Sequence, residues 1–439
     1  MRVASSLGIA VLLAFGAPAA AQPAGDAHEV TFSKDIAPLF QKNCQQCHRP
    51  GSIGPMSLTT YQEVRPWARS IKNRVVTGEM PPYRYDRDIG IQDLQDDLRL
   101  SLEEIDMVSN WVDAGAPMGD PADMPPPLSF PDLDEWAYAE QFGPPDLIIK
   151  TKPYTLAAEG QDVWWRPVTP TGVTEDRCIK AVSVKPSPQG RAAAHHANSR
   201  LLGFDEETEE WVEVERLSEY ALGKVGEVVP EDACRLLPAD SMVTWDVHYY
   251  PTGEVIEDDV IEMGVWLYPE DHEAKYKQDL KLYSLLMKGS QLELEPHGTA
   301  MTQGFHSFDT PVRVDSFQPH GHFRLVGKTL EIFDPKTGRL EMVSSVSNWT
   351  NDWHTSHIYS EDSAPLVPAG SVLVITGYYD NTAGNKQNPD PSQWVGPGSR
   401  TADEMSHSWI AVTHLDQEGY DRLVAEREDR LAAETTEQQ

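Results

Sequence analysis

Two thiols three positions apart with an imidazole directly after them, Cys44-Gln45-Gln46-Cys47-His48, form the arrangement that covalent haem attachment requires. Each thiol adds across one vinyl group of a porphyrin, and the adjoining His48 reaches the iron from one face. Redox and zinc sites also use a CxxC pair, but zinc wants a second ligand pair at matching spacing and none exists here. The opposite face of the iron calls for another ligand, and a thioether there raises the reduction potential. Met80, in Gly78-Glu79-Met80-Pro81-Pro82-Tyr83, sits on a proline-stiffened loop suited to that place. Met56, in Gly54-Pro55-Met56, is the rival, although residues so soon after His48 in a tight loop reach the far face with difficulty. One covalent haem c, bound by Cys44, Cys47, His48 and Met80, is the expectation.

A second set of ligand-type residues lies further along. His195-His196 is flanked by alanines, and neighbouring residues on a strand point to opposite faces, so both bind one metal only at a bulge or strand end. His248 falls in the strand-like run Trp245-Asp246-Val247-His248-Tyr249-Tyr250, and three imidazoles suit copper or zinc. His320-Gly321-His322 puts two imidazoles on the same face of a strand. Met405, in Asp403-Glu404-Met405-Ser406-His407, offers a thioether, a ligand that prefers Cu(I). His354 and His357, three apart, are an alternative pair that spacing alone leaves open. Singly each of these residues is as readily an ordinary buried histidine or core methionine, and His272, His297, His306, His407 and His414 have no partner visible in the sequence.

Taken in order, His195-His196, His248, His320-Gly321-His322 with Gly327-Lys328 after it, and Asp403-Glu404-Met405 resemble the copper type II, ascorbate-dependent monooxygenases, the family of the peptidylglycine alpha-hydroxylating and dopamine beta-monooxygenases. The likeness extends over roughly Asp146 to His414. It implies two jelly-roll-like β domains with one copper each. His195, His196 and His248 would hold an electron-transfer copper, while His320, His322 and Met405 would form the catalytic copper site that activates O₂. Ser406 follows Met405 where the family often has a cysteine, and Phe317-Gln318-Pro319 lacks the basic residue that engages a peptide carboxylate in the amidating branch. A peptide C-terminus is therefore not the expected substrate. The N-terminal part looks like the short cytochrome c domains of bacterial proteins. Together these resemblances imply an exported copper monooxygenase that hydroxylates a C–H bond of a small molecule with O₂. A periplasmic donor would supply electrons one at a time through the haem in place of ascorbate. The competing class is a non-enzymatic haem c and copper protein for electron transfer or copper binding.

These groups need scaffolds, and the patterning supplies them. Ile36, Leu39 and Phe40 repeat at helical spacing just before Cys44, and a second helix is predicted near 61–76. Ser101-Leu102-Glu103-Glu104 is a capping box opening a third helix that Gly115 stops. A small all-α cytochrome c domain is thus expected over 22–117, then a proline-rich linker over 118–145. Beyond it, short β-rich runs broken by Gly, Pro, Asn and Asp predict β-sandwiches. About 270 residues of this texture suit two sandwich domains in tandem, 146–275 and 276–415, with a charged tail at 416–439. The start, with Arg2, an apolar run from Leu7 to Phe15 and Ala19-Ala20-Ala21, reads as a signal peptide over 1–21 cleaved near Ala21. Export to the periplasm or beyond agrees with haem attachment and with a disulfide between the two remaining cysteines, Cys178 and Cys234. No later run is long enough to span a membrane. A net charge of −33 argues against nucleic acid as a partner.

Overall fold

The structure, a computed structural model, describes residues 29–50, 52, 54–95, 97–130, 134–221, 226–284, 292–398 and 400–437. The expected signal peptide lies outside them. Near the N-terminus, helix α1 (Ala37–Asn43) carries a proline in its first turn and ends at Cys44, as the spacing of its apolar residues requires. Helix α2 (Tyr61–Val64) starts from a reciprocal Thr60–Glu63 capping box and passes through the single turn Arg65–Trp67 into α3 (Ala68–Val76). Helix α4 (Leu102–Asp113) opens on the Ser101–Glu104 box: Glu104 N–H donates to Ser101 Oγ at 3.1 Å, and Ser101 N–H to the Glu104 carboxylate at 2.7 Å. These helices close over a shared apolar core that includes Phe32, Ile36, Phe40, Val64, Val108 and Trp111, all fully buried. The indole of Trp111 donates to Pro117 O, tying the exit of α4 to that core.

Most of the chain is β-sheet. An eleven-stranded sheet runs from Leu94–Gln95 at one edge through His357–Tyr359, Val312–His320, His407–His414, Tyr276–Ser284, Ala233–Leu237, Arg177–Lys185 and Glu262–Leu267 to Leu147–Lys150. One half of it packs on a five-stranded sheet built around Val163–Trp165, Met242–Tyr249, Ala194–Asp205 and Glu210–Ala221. The core between them contains Ile179, Val182, Val265, Leu201, Trp245 and Val247. The other half packs on a four-stranded sheet of Thr299–Ser307, Val372–Asp380, Leu325–Asp334 and Arg339–Val346, with Val314, Phe317, Ile410, Leu330 and Ile375 between the layers. The β region is therefore sandwich architecture, as its short β-rich runs broken by Gly, Pro, Asn and Asp predict.

The two sandwiches are stitched together. Tyr276–Ser284, the opening stretch of the expected second sandwich domain, pairs parallel with Ala233–Leu237 on one side and antiparallel with His407–His414 on the other. Across the same seam the buried Arg313 guanidinium pairs with Asp232 at 3.0 Å, and Gln318 Nε2 donates to the Glu219 carboxylate at 2.5 Å. Cys178 and Cys234 form a disulfide between adjacent strands, with Cα atoms 5.0 Å apart.

Two connecting segments dock on this body. Tyr83, Tyr85 and Leu94 enter the core of the second sandwich, and Leu94 pairs with Tyr359. Trp136, Tyr138 and Phe142 gather around Trp266, whose indole donates to Gly143 O at 2.9 Å. The charged tail forms a helix, Gln417–Glu437. Among the described residues no helix is long and apolar enough to cross a membrane.

Candidate metal centre

His195 and His196 open the strand Ala194–Asp205, beside His248 on Met242–Tyr249. His248 lies opposite His196 while Tyr249 lies opposite Ala194, which leaves His195 as an extra residue in a β-bulge. The bulge is what allows adjacent side chains, otherwise on opposite faces, to turn to one side. One nitrogen from each of the three rings lies within 4.8 Å of the others, and His195 Nδ1 is 3.0 Å from His196 Nδ1. Nitrogens bound about 2.0–2.1 Å from one ion stand at comparable separations. His248 Nε2 is held by the Asp162 carboxylate at 2.8 Å, which directs the lone pair to Nδ1, a buried atom with no protein partner. Trp164 stacks on the His248 ring at 4.3 Å and 10°.

The second pair is placed differently from expectation. His320 is the last residue of Val312–His320, and His322 stands beyond the strand end, so the two rings converge through a turn, with centroids 5.6 Å apart, instead of sharing one strand face. Gly321 is required there, because a Cβ would come within 2.6 Å of the Leu325 side chain. The buried Glu404 carboxylate accepts from three backbone N–H groups, those of His322, Arg324 and Met405, tying the turn to the Met405 loop. His322 Nδ1 is set by Asp403 O at 3.1 Å. Lys328, fully buried, donates to His320 O at 2.7 Å and His407 O at 2.8 Å. Burial pushes the Lys328 ammonium down to about 7 and the Glu404 carboxyl up to about 7. His407 faces His320 in register and stacks on it at 4.4 Å.

Both sets open on one small cavity of about 10 Å³. It is lined by six histidines, 195, 196, 248, 320, 322 and 354, together with Trp164, Asn351 and Thr401. That volume suits an ion or a single water. Burial, reinforced by the neighbouring imidazoles, lowers His195 and His322 to about 4 and His354 to about 3, with His196 and His320 also well below their ordinary value. These rings are thus neutral at ordinary pH, the form that ligates metal. Met405 is not among the cavity-lining residues; its carbonyl accepts from the Tyr379 hydroxyl at 2.9 Å. The pair His354 and His357 is split, since His357 packs between Tyr83, Tyr85 and Phe317.

At the haem motif, Cys44 and Cys47 are free thiols, and burial pushes Cys44 up to about 12. His48 Nδ1 lies 3.1 Å from Met56 O. A Cβ on Gly54 would stand 2.7 Å from His48 Nδ1 and from Cys47 O, so only glycine permits this approach. Met80 lines a separate cavity of about 340 Å³ with Val75, Leu100, Ile105, Tyr83 and Arg99, a cavity to which Cys44, Cys47 and His48 do not contribute. Met56 packs on the helical core instead.

No family model and no curated protein matches the chain. Among solved structures, it is similar to PNGF-II at 8% identity and a TM-score of 0.27, over 62% of this chain and 65% of that one. It is also similar to PNGase F, a glycosylasparaginase from Flavobacterium meningosepticum, at 9% identity and 0.23, over 62% and 97% of the two chains. The tandem CBM22 domain from Paenibacillus barcinonensis Xyn10C gives 10% identity and 0.16, over 62% and 98%. Likenesses this faint carry no weight for activity.

Proposed function

We propose that the chain is an exported copper-dependent monooxygenase that hydroxylates a C–H bond of a small molecule with O₂, fed with electrons through a covalently attached haem c. The observation that carries this reading is the gathering of six neutral imidazoles on one cavity, five of them buried and His195 partly so, several with ring nitrogens that no protein group satisfies. Buried polar atoms left this way are costly, and a metal ion meets the need. His195, His196 and His248, whose ligand atoms lie within 4.8 Å of one another, would hold one copper, and His320 and His322 the other, each in a jelly-roll-like sandwich; Met405 does not line the cavity and would join the second copper only with a movement of its loop. Copper bound there would supply one-electron redox chemistry and O₂ activation. The protein's own contribution is orientation and exclusion of water: the bulge presents His195 and His196 together, Asp162 fixes His248, Lys328 and Glu404 fix the turn bearing His320 and His322, and Trp164 covers the triad.

A haem c domain over 22–117 fits the same donor chemistry. The thiols are unpaired, and the His48 ring is oriented through Nδ1, as iron-binding histidines are. Thr355 Oγ1 donates to Pro82 O at 2.9 Å, so the segment bearing His354 touches the N-terminal part of the chain. Substrate would need the seam to part where Tyr250 and Thr401 hydroxyls meet at 2.9 Å.

The small cavity favours a second reading, a haem and copper protein that transfers electrons or stores metal without oxygenating anything. Copper content and oxygen consumption separate the two. The proposed enzyme holds two coppers per haem, and a His320→Ala variant keeps its haem spectrum while losing substrate-dependent O₂ uptake. Uptake that survives this change would remove His320 from the oxygen-activating site.

A further inference from the structure

We infer that His354 is a metal ligand of this centre, adding an imidazole to the metal held by His320 and His322. The inference rests on the copper reading above but concerns a residue outside the ordered set that suggested it. His354 lies in the connection between Arg339–Val346 and His357–Tyr359, and its ring enters the cavity between the two histidine sets. Its centroid is 4.8 Å from that of His320, 5.8 Å from His195 and 6.2 Å from His196. The residue is 3% exposed, the Asn351 backbone lies beside the ring, and neither ring nitrogen has a hydrogen-bond partner of acceptable geometry.

Orphaned nitrogens alone do not make a ligand, and His357 demonstrates the difference. It is equally buried and equally unpartnered, but aromatic rings surround it and it contributes nothing to the cavity. His354 combines the unmet nitrogens with the right place. Its segment is also anchored: the Trp349 indole donates to Pro319 O, next to His320, and Asn351 N–H donates to Gln387. A ring held this firmly against two ligand sets is preorganised for coordination. A further nitrogen donor at the O₂-side metal moves its preference away from a purely cuprous site toward one that also holds Cu(II).

Copper(II) titration of the full-length, haem-containing protein tests this, using equilibrium dialysis and electron paramagnetic resonance for the wild type, His354→Ala, His354→Gln and His357→Ala. Both His354 variants are expected to lose at least about tenfold in affinity for one of two coppers and to show an altered signal for it, while His357→Ala keeps both. X-ray absorption of the copper-loaded wild type needs no variant and should fit three imidazoles per copper on average. Two coppers retained in both His354 variants with wild-type affinity and spectra would overturn the assignment, as would an average below three imidazoles in the wild type. Failure of the wild type to take up copper would instead bring down the copper reading itself, and this inference with it.

Discussion

Glu404 holds the turn bearing His320 and His322 in place, and its removal has a calculable cost. The carboxylate is fully buried and accepts from the backbone N–H groups of His322, Arg324 and Met405. Glu404→Ala strands all three donors away from water. At about 1–3 kcal/mol for each buried unsatisfied group, with some relaxation, the loss is roughly 3–6 kcal/mol, a large part of a typical total of about 5–15 kcal/mol. Glu404→Gln keeps one oxygen for His322 and Met405 but turns an amide NH₂ toward Arg324 N–H, so about 1–3 kcal/mol is expected. The opposing effect is desolvation, which lifts this carboxyl from 4.5 to about 7. A raised folded-state value means that the group's stabilising contribution is full below about 4.5 and fades as pH rises through 7, so the Gln penalty should shrink between pH 5 and pH 8. Urea unfolding of the metal-free full chain, followed by tryptophan fluorescence, measures these differences. The expected order at pH 5 is wild type, then Gln, then Ala. If Glu404→Ala lies within about 0.5 kcal/mol of wild type, as surface changes do, the turn is not held by this carboxylate.

Other outcomes follow from the same geometry. Asp162→Asn should weaken copper binding at His195, His196 and His248 by about 10–100-fold, measured by competition with a chelator, because it removes the group that orients His248. Breaking the Cys178–Cys234 bridge with a Cys234→Ser, Cys178→Ser double variant should cost about 4 kcal/mol for a loop of 56 residues, read as a lower urea midpoint. Acid should destabilise the metal-free protein. His354 and His357 sit at about 3 in the fold against an ordinary 6.5, so their stability contribution is complete above 6.5 and is lost as pH falls below it. Each histidine in that window contributes about 1.4 kcal/mol per pH unit, and His357→Gln should give a shallower pH profile of unfolding. Cys47→Ala, in a protein whose copper sites are intact, should be reducible at copper only by artificial donors, checked by stopped-flow reduction with a cytochrome donor.

The parts of the molecule written in local pattern were readable beforehand. The Ser101–Glu104 box and the helical spacing ahead of Cys44 placed α4 and α1, because capping and amphipathic periodicity act over a single turn. The requirement that His195 and His196 sit at a bulge followed from strand geometry, and the extra residue opposite His248 and Tyr249 supplies it. The joined sheet was not readable. Nothing in Tyr276–Ser284 signals two partners, since strand pairing depends on distant edges. His407 was indistinct as a single histidine and His354 stood only in an open alternative pair with His357; the packing of the connection after Arg339–Val346 and the register of His320 with His407 bring them in. Lys328 and Glu404 stood inside the quoted runs, but their role as buried props comes from tertiary contacts with His320, His322 and His407. Met80 is the converse: its loop was well marked, yet His48 keeps company with Met56 and the Met80 cavity lies apart.

Oxygen transfer itself is the decisive property. The copper-loaded, reduced protein can be supplied with ¹⁸O₂ and a panel of small molecules bearing activated C–H bonds, and the products examined by mass spectrometry. A monooxygenase built on this histidine cavity places one labelled oxygen in the hydroxylated product for each O₂ consumed, and loses that label in His320→Ala. Products carrying only solvent oxygen, or oxygen uptake with no hydroxylated product from a protein holding its full complement of copper, would contradict it.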